Sequence, residues 1–253
     1  MKKLIGLALV AAVAFAVGAH ASPPEGEGWE SLFNGENLEG WEIKSGHDEI
    51  WQVKDGVIDC NPRVDLPGDK ALWSKESFGD FKLYMEWRIK GTKGEYPVPT
   101  VLPDGSHKLD EDGNIIIAMT PNADSGVYLR GSSKSQINIW CWPVGSGEVY
   151  GYRMDKDMPP EVRAGVTPKM KADKPIGEWN TFIITMEGER LTVELNGKKV
   201  IENAQMPGVP EEGPLALQHH GGYHKGDDQW NPASSLVQFR NIYVKELDEK
   251  EGS

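Results

Sequence analysis

Hydrophobic and polar residues alternate with a period of two in many short runs between residues 22 and 253, rich in Val, Ile, Trp, Tyr and Phe. Successive strand side chains point to opposite faces, so this pattern predicts half-buried β-strands. Gly, Pro, Asn and Asp separate the runs, and no convincing amphipathic helix interrupts them. The expected fold is therefore all-β, an antiparallel two-sheet jelly-roll sandwich. Two turns are specified locally. Asp55-Gly56 and Asn196-Gly197 each join two such runs, and both dipeptides accept the positive φ angles of a two-residue hairpin. Residues 91–124 and 143–177 show no such order and are expected as long loops that wall a ligand cleft.

Dividing each run by face predicts which side chains reach a ligand. In residues 81–90, Phe81, Leu83, Met85, Trp87 and Ile89 form an apolar face, and Lys82, Tyr84, Glu86, Arg88 and Lys90 point the other way. The same division sends Val127, Leu129, Ile137, Ile139, Cys141, Leu215 and Leu217 to the core. Tyr128, Arg130, Gln136, Asn138, Trp140, Gln218, His220, Gln238 and Arg240 are left facing out, with His219 inward or at a strand end. An ordinary solvated face favours Lys, Glu, Thr and Ser. This inventory is instead rich in planar hydrogen-bonding groups and aromatic rings, which suit vicinal sugar hydroxyls and a pyranose face. One polar face that binds a carbohydrate is the expectation. Trp179, beside Asn180 and Phe182, reads as core.

Charge and termini narrow the partners. Lys2 and Lys3, an apolar run over residues 4–17 and Ala19-His20-Ala21 predict a signal peptide cleaved after Ala21 and one domain over residues 22–253. The product is expected to be exported, periplasmic or secreted, with no membrane contact once the peptide is removed. Removing the two lysines from 27 basic residues leaves 25 against 39 acidic ones, which argues against nucleic acid as a partner. Cys60 and Cys141 lack zinc-site spacing, leaving a disulfide or buried free thiols open. His220 lies near His219, His224, Asp227 and Asp228, which makes a divalent metal a candidate, although no known ligand spacing is matched. No nucleotide cofactor is expected.

Several stretches together resemble the 3-keto-disaccharide hydrolase family, which has a concanavalin-like jelly-roll fold. They are residues 29–35 with Leu38 and Gly40-Trp41, Glu86-Trp87-Arg88, residues 125–131, Gln136-Ile137, residues 177–180, Leu195-Asn196-Gly197, residues 213–221 and residues 239–242. The resemblance spans nearly the whole chain after residue 21. Two departures stand out: Asp124 replaces the family's usual Asn before Ser-Gly, and residues 91–124 lengthen a commonly short connection.

The resemblance implies action on glycosides oxidised to a ketone at C3, by 1,2-elimination and then hydration of the 3-keto-2-hydroxy-glucal. The ketone acidifies the C2 hydrogen, so the site needs a base near C2, an electrophile at the developing enolate and an acid near the glycosidic oxygen. On this reading Glu86, His220 and Arg240 are catalytic, with Glu86 and His220 also the candidate metal ligands. Arg88, Asp124, Arg130, Gln136, Asn138, Trp140 and Gln218 would hold the sugar, the arginines also stabilising charge. The main rival is a non-catalytic carbohydrate-binding module on the same sandwich. A second is a two-carboxylate glycosidase with Asp124 opposite Glu86.

Overall fold

A computed structural model describes residues 24–63, 68–224, 229–230 and 234–247. The expected signal peptide, Asp227 and Asp228 lie outside these residues. In chain order the strands begin with β1 (Glu30–Ser31), β2 (Trp51–Lys54), β3 (Val57–Cys60), β4 (Leu72–Phe78) and β5 (Phe81–Ile89). They continue as β6 (Glu95–Pro99), β7 (Ile117–Pro121), β8 (Asp124–Leu129), β9 (Ser132–Trp140), β10 (Asn180–Glu187) and β11 (Arg190–Leu195). The last are β12 (Lys198–Gln205), β13 (Gly213–Leu217), β14 (Tyr223–His224), β15 (Gln229–Trp230) and β16 (Val237–Glu246). Helix among the described residues amounts to the short segments α1 (His47–Ile50), α2 (Tyr150–Arg153) and α3 (Pro160–Gly165).

Two antiparallel sheets make the sandwich, as the alternation predicts. The large sheet runs β12-β11-β10-β5-β16-β3-β2, with β1 also paired to β16, and the small sheet runs β4-β13-β8-β9. Their facing sides share one buried cluster. Phe81, Leu83, Met85 and Trp87 of β5 join Phe182 and Phe239 from the large sheet, and Val127, Leu129, Ile137, Ile139, Leu215 and Leu217 come from the small one. Burying side chains of this size stabilises by about 1.5–3 kcal/mol each, which fixes the register of every strand that carries them. Both Asx-Gly turns form as expected, with positive φ at Asp55, Gly56, Asn196 and Gly197. Cys60 and Cys141 are free thiols, the first buried.

Residues 91–124 are not an irregular loop. β6 and β7 pair over five positions, and the bridges Val101↔His107 and Leu109↔Ile115 extend the ribbon. Pro97, Pro99 and Pro121 are tolerated because a two-stranded ribbon has edges that need no ladder bond. Tyr96, Val98 and Val101 pack on Trp140, Trp142 and Val144 in a second small core. The stretch 143–177 likewise contains α2 and α3.

The fold overturns the expectation of one shared polar face. β5 and β16 belong to the large sheet, whereas β8, β9 and β13 belong to the small one. Because the core lies between the sheets, their outward faces are on opposite sides of the molecule. Arg130 is on neither face. The β8 alternation stops at Leu129, which pairs with Ser132, and Arg130-Gly131 forms the turn, with φ 48° and 72°.

Candidate functional site

The outer face of the small sheet gathers six of the expected residues: Asp124, Gln136, Asn138, Trp140, Gln218 and His220. Trp73, Ala216 and Tyr128 lie side by side across β4, β13 and β8, and the Trp73 and Tyr128 rings meet at 5.6 Å between centroids. In the next row, Gln218 N donates to Gly126 O (2.9 Å) and Gly126 pairs with Asn138. Asp124 pairs with Trp140 beyond them.

Gly126 is required here by close approach. A Cβ at this position would lie 2.5 Å from Gln136 Nε2 and 2.7 Å from Ile137 O. Its absence lets the Gln136 side chain cross the strand, where Nε2 donates to Asn138 Oδ1 and to Gln218 Oε1, each at 2.6 Å. Gln218 is in turn hydrogen-bonded to Tyr128. The result is a row of amides with fixed donor and acceptor directions, flanked by aromatic rings. His220 is exposed at the end of this row. Its backbone N donates to Ser235 Oγ (2.6 Å), and that hydroxyl donates to Asp124 O (2.8 Å).

Residues outside the sequence inventory complete the row. Asn138 N donates to Glu148 O and Gly147 N to Asn138 O, both at 2.9 Å, so residues 147–148 run along the free edge of β9. Glu148 is ion-paired with Arg153 of α2, and both are fully buried. Arg153 Nη1 is 3.4 Å from His107 Nε2, which comes from the ribbon. The Trp140 and Trp142 rings stack at 4.1 Å, with Tyr150 edge-on to both. Glu148, Arg153 and His107 carried no sequence signal. They fall in the two stretches without alternation, although the Glu-Val-Tyr-Gly-Tyr-Arg run that follows Gly145 and Gly147 was the one available hint.

Four buried polar atoms in this cluster have no hydrogen-bond partner among the described residues: Asp124 Oδ1, Asn138 Nδ2, Glu148 Oε2 and Arg153 Nη2. A group of that kind costs about 1–3 kcal/mol, so such a concentration marks a place suited to a ligand. Both carboxyls bind protons unusually tightly. Burial and then the neighbouring Glu148 hold Asp124 well above the ordinary carboxyl range. Burial pushes Glu148 up to about 7, outweighing the opposing pull of Arg153. His107 moves the other way, lowered by burial and by the charges of Arg153 and Arg163.

These shifts set a pH dependence of stability. The Glu148 value is raised, so this group holds more protons in the folded chain than in the unfolded one from its ordinary value of 4.5 to about 7, and Asp124 acts in the same direction. The stabilisation from Glu148 is therefore complete below that window and is lost as pH rises through 7. Thermal melts are expected to show a higher midpoint at pH 5 than at pH 8, with the difference reduced in Glu148→Gln. An equal difference in that variant would remove Glu148 as its source.

The remaining candidates lie elsewhere. On the outer face of the large sheet, Arg240 Nε donates to Glu86 Oε2 (2.6 Å) and Tyr84 Oη to Glu86 Oε1 (3.1 Å). Arg88 Nε donates to Gln238 Oε1 at 2.7 Å. Trp179 is not core: it is half-buried, with the Arg240 and Arg88 guanidinium groups 4.0 and 4.7 Å from its ring centre. Arg130 is buried at the turn end, donating to Gly79 O, Gly188 O, Pro210 O and Asp80. Glu86 and His220 belong to different sheets, and both Glu86 oxygens are engaged. No three His, Cys, Asp or Glu side chains among the described residues gather into a metal-binding set, so this pair does not fit a metal ion.

The model of a family described as a 3-keto-alpha-glucoside-1,2-lyase-like domain matches residues 28–245. Two solved structures of proteins from Parabacteroides distasonis, each labelled a glycosyl hydrolase, share the fold. One superposes with a TM-score of 0.53 at 20% identity, covering 88% of this chain and 95% of its own. The other gives 0.51 at 21% identity, covering 87% and 99%. No curated protein matches the chain.

Proposed function

The chain belongs to the 3-keto-alpha-glucoside-1,2-lyase-like family, and on that footing we propose that it cleaves 3-keto-glycosides by 1,2-elimination at the outer face of the small sheet, after export. The observation that carries this reading is Glu148, a carboxyl titrating near 7 beside unpaired donors on Asn138 and Arg153. A base poised near the working pH is what abstraction of an acidified C2 hydrogen needs.

In this mechanism the Glu148 carboxylate takes the C2 proton, and the electron pair passes to the C3 oxygen as an enolate. Asn138 Nδ2 and Arg153 Nη2 donate to that oxygen, where preorganised donors act most strongly in a buried site. Collapse of the enolate expels the C1 oxygen, and protonated Glu148 returns its proton to the departing group, leaving the 3-keto-2-hydroxy-glucal. Gln136 and Gln218 orient the sugar hydroxyls, Trp140 walls the site, and His220 at the exposed end handles the proton of the added water. Glu148 and Arg153 have no exposed surface, so turnover requires the ribbon carrying His107 to lift. No step here is routed through a metal ion.

Asp124 has a different role. Burial raises its carboxyl well above the ordinary range, which favours the neutral form that the Asn amide of its relatives resembles. Asp124→Asn is therefore expected to keep turnover within about tenfold of the wild type, whereas loss of a proton-transfer group costs roughly 10²–10⁴-fold. A loss of that larger size, measured as kcat/KM, would make Asp124 a proton carrier.

The deciding assay incubates the protein with a 3-keto-glucoside and its unoxidised parent, following enone absorbance and released alcohol. Release from the oxidised substrate alone is the expected result. Release from the parent would indicate a two-carboxylate glycosidase, and binding of either without release a carbohydrate-binding module.

A further inference from the structure

The ribbon that packs on Trp140 has one blocked edge and one open edge. Asn122 N donates to Gly94 O and Thr100 N to Ile116 O, both at 2.9 Å. Hydrogen-bonded and non-bonded pairs alternate along an antiparallel ladder. The intervening pairs Pro97↔Met119 and Pro99↔Ile117 therefore turn their backbone groups to the outer edges. On the β6 side these positions are prolines, which have no N–H to offer. On the β7 side they are Ile117 and Met119, whose backbone N–H and C=O groups have no partner among the described residues. Ile115 continues the row. It bridges Leu109 between the bonds from Ile116 N to Lys108 O and from Asp110 N to Asn114 O, so its own backbone groups also point outward.

The side chains along this edge are apolar and uncovered. Ile117 and Met119 are 55% and 60% exposed, with Ile115 and Leu109 exposed beside them. Edge strands are usually protected by a charge or a proline. Residues 115–120 contain neither, in a chain with 39 acidic and 27 basic residues.

We propose that this edge is a dimer interface, pairing antiparallel with the same edge of a second copy of the chain about a two-fold axis at Ile117. In that register the two Ile117 residues face each other and each Ile115 meets the other copy's Met119. All are positions whose N–H and C=O point outward, so each pair exchanges both of its hydrogen bonds. An uncharged strand with this spacing is its own complement, and a partner recognised by charge finds nothing to hold on residues 115–120. The joined ribbons make a four-stranded sheet, more stable than a two-stranded ribbon alone. Pro97 and Pro99 leave the outer edges of that sheet without donors at those positions, so the assembly closes at two copies.

Sedimentation velocity over micromolar concentrations is expected to show a monomer–dimer equilibrium. Ile117→Lys, at an exposed position where folding is kept, sets two like charges face to face and weakens the dimer about tenfold or more, with circular dichroism confirming the fold. Disulfide capture then reads the register. Ile117→Cys places two thiols on Cα atoms about 5.5 Å apart, within disulfide reach, and cross-links under mild oxidation. Met119→Cys sits roughly 13 Å along the strand from its own counterpart and does not. A monomer at every concentration, a dimer indifferent to Ile117→Lys, or cross-linking of Met119→Cys as fast as Ile117→Cys overturns the proposal.

Discussion

Glu148→Gln is expected to lower kcat/KM for a 3-keto-glucoside by roughly 10²–10⁴-fold, the usual contribution of a positioned general base. The amide keeps the shape of the side chain and an oxygen that accepts from Arg153 Nε, so the packing around α2 survives. It cannot take a proton, and the pH–rate limb near 7 set by Glu148 should disappear with the activity. The variant also leaves the Arg153 charge buried without its counter-ion, and removing one partner of a buried pair costs about 3–5 kcal/mol. Circular dichroism and thermal melts at the assay temperature therefore accompany the kinetics. A folded Glu148→Gln protein with wild-type turnover would remove Glu148 from the mechanism and return the base to His220.

Arg130→Met should do the opposite, lowering stability while sparing the chemistry. The Arg130 side chain is 1% exposed and its guanidinium pairs with Asp80 at 2.8 Å. It also ties three backbone carbonyls from separate loops. Methionine fills the space but takes the Arg130 donors from those carbonyls and the counter-ion from Asp80, which keeps only the Gly188 N–H, at a cost of about 3–5 kcal/mol. Denaturant unfolding should show that loss, and turnover per folded molecule should match the wild type. A rise in KM for the sugar with unchanged stability would restore Arg130 to the binding site expected from its position beside the Ser-Gly strand.

Much of the site was legible residue by residue. Gln136, Asn138, Trp140 and Gln218 face outward as alternation requires, and they lie on one sheet because β9 and β13 both join the small sheet with β8 between them. Glu86, Arg88 and Arg240 also face outward, with the same pattern and the same chemistry, yet their strands are neighbours in the large sheet. Nothing in an alternating run states which sheet it will join, because pairing is chosen by strands far away in sequence. Arg130 failed for a local reason: the two-residue turn begins one position after Leu129, and a turn residue inherits no face.

The sequence by itself determined the class of fold, the inward and outward side of the alternating strands β5, β8, β9, β13 and β16, both Asx-Gly hairpins and the family. These depend on period-two burial and on turn chemistry, which act over a few residues. Only the tertiary structure decided that the outward residues divide between opposite faces. Only it brought Glu148, Arg153 and His107 from irregular segments to the edge of β9, buried the Glu148–Arg153 pair and so raised the Glu148 carboxyl toward neutrality. Desolvation and electrostatic coupling depend on distance in space, and no spacing along the chain encodes them.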